Sequence, residues 1–132
     1  MKIALLSDIH ANRQALDACL QHARAQGAEQ FALLGALVGY GGDPVAVMDQ
    51  IMALAQSGAL CVLGNHDAMA LSPPAAPANR AELGARWTHD RLASRHHQFL
   101  QGLPLTARMG HSALLVHASA DAPEQWRYVK DS

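Results

Sequence analysis

No run of like charge occurs anywhere in this chain of 132 residues: ten Lys and Arg stand mixed among eleven Asp and Glu, for a net charge of -1. A surface for duplex nucleic acid or for an anionic membrane needs a basic patch, and none is present. Cysteine is equally sparse. Cys19 and Cys61 both sit inside apolar stretches without C-x-x-C or other metal spacing, so they read as buried free thiols in a reducing compartment. Long hydrophobic runs are absent too. Only four apolar residues separate Met1-Lys2 from Ser7-Asp8, too few for a secretion signal or a membrane span, and a cytoplasmic setting is expected. There is no internal repeat.

What the chain does have is apolar residues, half of its composition, and eight histidines. At this length it reads as one domain, residues 1–132, able to bury roughly two-thirds of its unfolded surface. Short apolar runs alternate with helical patterns, which predicts an α/β fold. Ile3 to Leu6, Phe31 to Leu34 and Ala59 to Leu63 read as buried strands. A helix is predicted from about Arg13 to Gln26, burying Leu16, Cys19, Leu20 and Ala23 and stopping at Gly27. A second begins at Pro44 with Asp43 as its cap and Val47, Ile51 and Leu54 at core spacing. The Pro-rich stretch from Ser72 to Pro77 is a surface loop. Asn79 then caps a helix running through Trp87 to about Ala93, and a shorter helix ends at Gly102-Leu103-Pro104. Leu105 to Met109 and Ala113 to Val116 form a hairpin turning at Gly110-His111. Trp87 and Phe99 read as core, and Arg80, Arg86, Arg91 and Arg95 as a solvated helical face.

The chemistry lies just after the strands. The first runs into Ser7-Asp8-Ile9-His10, the third into Gly64-Asn65-His66-Asp67, and the last into His117-Ala118-Ser119. In open α/β sheets the site lies beyond the carboxyl ends of the strands, so three strands deliver Asp, Asn and His side chains to one edge. Asp8 and His10 are two apart and, on an extended backbone, point to the same side. Such a mixed O/N set suits a divalent transition metal. His22, His89, His96 and His97 fall on helices without ligand spacing, and His111 falls in a turn.

Asp8-x-His10, Gly64-Asn65-His66-Asp67 and the later His117, in that order, resemble the motifs of the calcineurin-like metallophosphoesterases. Gly35-Ala36-Leu37-Val38-Gly39-Tyr40-Gly41 resembles that family's second motif, with Ala36 where the family has aspartate. Trp87, Phe99-Leu100, Leu103-Pro104 and Val116-His117 are similar to a bacterial subgroup related to diadenosine tetraphosphatases. The resemblance implies part of a sandwich of two β-sheets flanked by helices, with a helical insertion. It implies hydrolysis of a phosphomonoester or phosphodiester, a small molecule or nucleotide, by hydroxide activated between two divalent ions of the manganese, iron, zinc, magnesium or nickel class. Asp8 and His10 would hold the first metal, Asn65 and His117 the second. His66 would stabilise or protonate the leaving oxygen, Asp67 would orient its imidazole, and Asn12 could reach a substrate phosphate.

Two departures shape the expectation. The alanine methyl of Ala36 cannot coordinate, and Asp43 reads as a helix cap rather than a substitute bridge. The family's closing G-H-x-H motif is also absent before Ser132, so the bridging aspartate and both closing histidines are missing. One metal ion or none is therefore expected, with impaired activity. A degenerate metal- or phosphate-binding module and an inactive fragment of a longer phosphoesterase are the alternatives. The strand around Leu114, Leu115 and Val116, with Trp126 and Tyr128 exposed beside it, is expected to mediate self-association.

Overall fold

The computed structural model describes residues 1–131. Its elements run β1 (Ile3–Leu6), α1 (Arg13–Ala25), β2 (Gln30–Leu33), α2 (Pro44–Gln56), β3 (Leu60–Cys61), α3 (Asn65–Leu71), α4 (Arg80–Arg91), α5 (Ser94–Gln101), β4 (Thr106–Met109) and β5 (Ala113–Val116). The strands form a parallel sheet in the order β1-β2-β3 and an antiparallel hairpin of β4 with β5. This is the α/β arrangement predicted, with helical crossovers between parallel strands.

Parallel pairing leaves both faces of the sheet to be covered, and the apolar runs supply the material. Leu33 of β2, Val47, Met48 and Ile51 of α2, and Leu100 of α5 are all fully buried in the main core with Leu16 and Leu20 of α1. A smaller cluster of Ala32, Val62 and Leu115 links the parallel sheet to the hairpin. The hydrogen bond from the Leu63 N–H to the Pro104 carbonyl (2.8 Å) lies at the same junction. Among the described residues no helix is long and apolar enough to cross a membrane.

Helix α3 was not foreseen in the sequence. Gly64 occupies its N-cap, and the side chain of Asp67, at the third helical position, accepts from the Gly64 N–H (2.9 Å). That single bond back to the cap residue starts a helix of seven residues, too short to display a period. Cys61 is buried as expected, but Cys19 is exposed, because α1 turns only Leu16 and Leu20 fully inward. Trp87 is not core. It is 39% exposed, and the Arg91 guanidinium lies 4.9 Å above its ring. Asp43 does stand at the N-cap of α2, but its side chain caps nothing; Pro44 at the first turn supplies the helical geometry instead.

The histidine set aside as structural on α5 has a definite job. His96 is fully buried, accepts the Ala93 N–H through Nδ1 (3.0 Å) and meets Asp49 Oδ1 through Nε2 (2.7 Å). The contact with His96, and that with Arg95 (3.0 Å), hold the Asp49 carboxyl below the usual carboxylate range against the opposing effect of desolvation. Arg95 remains exposed on the expected solvated face while its ion pair joins α5 to α2.

Candidate functional site

Each candidate side chain stands on the segment just after a strand, Asn65 and His66 in the first turn of α3, and the segments after β1 and β2 are tied by backbone hydrogen bonds. After β1, the N–H groups of Asp8, His10 and Ala11 donate to the carbonyls of Gly35, Ala36 and Leu37 (3.0, 2.9 and 2.9 Å). This ladder is not extended strand. Asp8, His10, Ala11 and Ala36 all take positive φ, between 50° and 57°. The left-handed conformation costs an L-residue roughly 1–2 kcal/mol and persists only where its surroundings enforce it. Asp8 and His10 do meet, with Oδ1 and Nε2 3.6 Å apart, but through a tight left-handed turn rather than through strand alternation.

The enforcement comes from Asp67. Its carboxylate is fully buried, with Oδ1 accepting the N–H groups of Leu37 (2.8 Å) and Val38 (3.1 Å) and Oδ2 that of Gly64 (2.9 Å). The loops after β2 and β3 are thus held together through one side chain. They pass so closely that a side chain at Gly64 would run into the Ala36 nitrogen. Burial pushes the Asp67 carboxyl up to about 6, against the downward pull of the three N–H donors. Among the described residues no hydrogen bond joins Asp67 to the His66 ring, so its contact with this site runs through the backbone. Asn12 likewise has another task. Its Oδ1 accepts from the Ala15 N–H (3.0 Å) and caps α1, which leaves the phosphate-reaching role without geometric support.

Around this framework the side chains converge on a cavity of about 830 Å³ lined by Asp8, His10, Tyr40, Asn65, His66 and His117. His117 Nδ1 lies 2.7 Å from the Leu34 carbonyl oxygen. A carbonyl only accepts, so Nδ1 bears the proton, and Nε2 faces Asn65 Oδ1, 3.1 Å away. A carbonyl behind the ring is how metal-ligating histidines are commonly oriented, so Nε2 and Asn65 Oδ1 form a candidate ligand pair. The Asn65 amide nitrogen donates to the Tyr128 hydroxyl (3.2 Å). His66 is nearly buried, and its Nδ1 has no partner. Burial, and next the neighbouring His10 and His117, hold its pKa below that of an ordinary histidine, while Asp8 pulls weakly the other way.

The donors therefore form two pairs, Asp8 with His10 and Asn65 with His117, each offering one oxygen and one nitrogen. Among the described residues no three His, Cys, Asp or Glu side chains come close enough together to hold an ion. The buried Ala36 stands at the position that the resemblance assigns to a bridging carboxylate. The two pairs offer the mixed oxygen and nitrogen donors that a divalent transition metal accepts, and the methyl group of Ala36 cannot bridge them. Tyr40 lies outside the predicted site residues. Its signal was available in the sequence as an aromatic residue set between two glycines, Gly39 and Gly41.

With the geometry in place, comparison with known proteins fixes the family. The model of the calcineurin-like phosphoesterases matches residues 1–131, and the chain belongs to that family. The protein MJ0912 of Methanocaldococcus jannaschii is 32% identical over 132 residues, covering 96% of this chain and 53% of its own length. A metallophosphoesterase from Sphaerobacter thermophilus superposes with a TM-score of 0.77 at 32% identity, over 93% of this chain and 49% of that one. A third protein, provisionally assigned as a diadenosine tetraphosphatase, gives 0.69 at 28% identity, over 89% of this chain and 50% of that one. The chain spans about half the length of the relatives it matches.

Replacing Asp67 by alanine leaves three buried N–H groups without an acceptor, and the expected loss is about 3 kcal/mol or more, at about 1–3 kcal/mol per abandoned group. Urea unfolding of the two proteins measures it. A loss below about 1 kcal/mol would mean that the carboxylate does not hold these loops.

Proposed function

We propose that this chain carries a metal-dependent phosphoesterase site, acting on a phosphomonoester or phosphodiester such as a nucleotide. The observation that supports this is the meeting of Asp8, His10, Asn65, His66 and His117, from the ends of separate strands, on one cavity. A divalent ion held by Asn65 and His117, or by Asp8 and His10, would lower the pKa of a bound water and offset charge on the phosphoryl oxygens. Burial holds the His66 pKa below that of an ordinary histidine, and the ring stands between His10 and Tyr40, with ring centroids 4.9 and 4.7 Å away. An anionic phosphoryl group beside it would raise its pKa again, so the ring would take up a proton as substrate arrives and could hand it to the leaving oxygen. Buried surroundings keep that ring in place through the turnover.

A second reading is a degenerate module that binds metal or phosphate without turnover, and Ala36 favours it. The alanine sits in a left-handed conformation (φ 51°) that aspartate or asparagine adopts more readily, so the backbone there still suits the missing carboxylate. Elemental analysis after dialysis is expected to find at most one divalent ion per chain. Turnover of an aryl phosphate with added manganese should be very low, and lower still in His66→Ala. Two tightly held ions would contradict the ligand assignment. Robust turnover that vanishes in His66→Ala would exclude the degenerate reading.

The C-terminal region is also proposed to self-associate. Leu114 is 46% exposed on β5, and Tyr128 and Val129 lie still more open beyond it, whereas Leu115 is buried and Trp126 is half-buried, 6.2 Å from the His117 ring. Light scattering should detect a dimer that Leu114→Lys weakens. A monomer at every concentration tested would rule this surface out.

A further inference from the structure

Tyr40 is a large aromatic residue, 60% exposed, and its ring lies against two histidines of the site. The centroid is 4.7 Å from that of His66, at an interplanar angle of 49°, and 5.3 Å from that of His10, at 63°. With 60% of the residue exposed, burial does not account for its position. The backbone is bent to put it there. Tyr40 has φ 60°, and the Gly41 N–H donates to the Gly39 carbonyl (2.7 Å), closing a three-residue turn around it. A turn of this hand is rare and strained for any residue with a side chain. Both neighbours must be glycine. A Cβ at Gly39 would lie 3.0 Å from the His66 Cβ, and one at Gly41 would run into the His10 carbonyl oxygen. From behind, Gly84 of α4 brings its helix close to the turn, where a Cβ would lie 3.3 Å from the Tyr40 nitrogen.

The chain thus accepts strain at Tyr40 and close approaches at both adjacent glycines, and the result is an open aromatic face beside the expected proton donor. Tyr40 also lines the second cavity of about 830 Å³, on the far side of Asp8 and His10. Asp8, His10 and Tyr40 line both spaces. A phosphoryl group among Asp8, His10, Asn65 and His117 would send its leaving group past His66 and along this ring.

We infer that Tyr40 is a specificity-determining residue, a platform on which a planar leaving group such as an aryl ring or a nucleobase stacks while its phosphate occupies the histidine-lined cavity. The inference rests on the phosphate-ester reading above. Stacking against an exposed aromatic face strengthens binding about three- to tenfold, the range that aromatic pairs supply. The ring is a positioning and selecting group; the hydroxyl is not required.

Binding rather than turnover provides the test. Phenyl phosphate, methyl phosphate and inorganic phosphate are titrated into the full chain, with and without manganese in parallel samples for calorimetry, and the metal-free series is followed through the ring resonances of His66 and Tyr40. The wild-type protein should bind phenyl phosphate about three- to tenfold more tightly than methyl phosphate. Tyr40→Phe should keep that preference. Tyr40→Asn, chosen because asparagine tolerates the left-handed conformation, should bring the ratio of the two affinities to about one with a native circular dichroism spectrum. Equal affinity for the two esters in the wild type, or a preference that survives in Tyr40→Asn, would overturn the role of Tyr40 and leave the phosphate-ester reading intact. Failure of all three phosphates to bind at this cavity would overturn both.

Discussion

One buried carboxylate organises the site. Asp67 contributes no atom to the cavity, yet its two oxygens take up three backbone N–H groups from the loops that follow β2 and β3. Without it those donors would face an apolar interior, at a cost comparable to a large fraction of a small domain's stability. With it, the loop after β2 becomes a fixed rail. The loop after β1 then hydrogen-bonds along that rail through Asp8, His10 and Ala11, and His117 anchors Nδ1 on Leu34. Desolvation works against this carboxylate, and the three N–H groups work for it. Their opposition appears in a pKa pushed up to about 6 although every oxygen contact favours the ionised form.

The rail also explains where strain is stored. Asp8, His10, Ala11, Ala36 and Tyr40 all adopt left-handed backbone conformations, and all five lie on the two loops tied by the ladder. A flexible loop would relax these residues; a fixed one brings side chains from separate strands within reach of one cavity. The resulting arrangement is a functional frame with one conspicuous substitution. Ala36 is fully buried on this rail in a left-handed conformation, and its methyl group cannot coordinate. Fold and cavity persist there because the backbone hydrogen bonds, and not the missing carboxylate, hold the loop.

Much of this was readable before any coordinates. The apolar runs at Ile3 and Ala113 marked β1 and β5 because strands buried on one or both faces leave a compact signature in sequence. Asp8, His10, Asn65, His66 and His117 announced themselves by position, each shortly after such a run. The roles of Asp67 and Asn12 were not readable. A carboxylate that grips distant backbone amides leaves no periodicity, and an asparagine that caps a helix looks the same in sequence as one that reaches for a ligand. Cys19 and Trp87 misled for a related reason. An apolar or aromatic residue on a helix face predicts burial only when a neighbouring element covers that face, and such coverage is a property of the whole fold.

The central claim is that the loops fixed by Asp67 gather His10, His66 and His117 into one metal- and phosphate-accepting cavity, while the remaining histidines are structural or solvated. Paramagnetic broadening of histidine ring signals by added manganese tests it most directly. The rings of His10, His66 and His117 should broaden first and together, with His22, His96 and His111 spared. Broadening that begins instead at the His89–His97 pair, whose rings lie 4.6 Å apart on α4 and α5, would contradict the account.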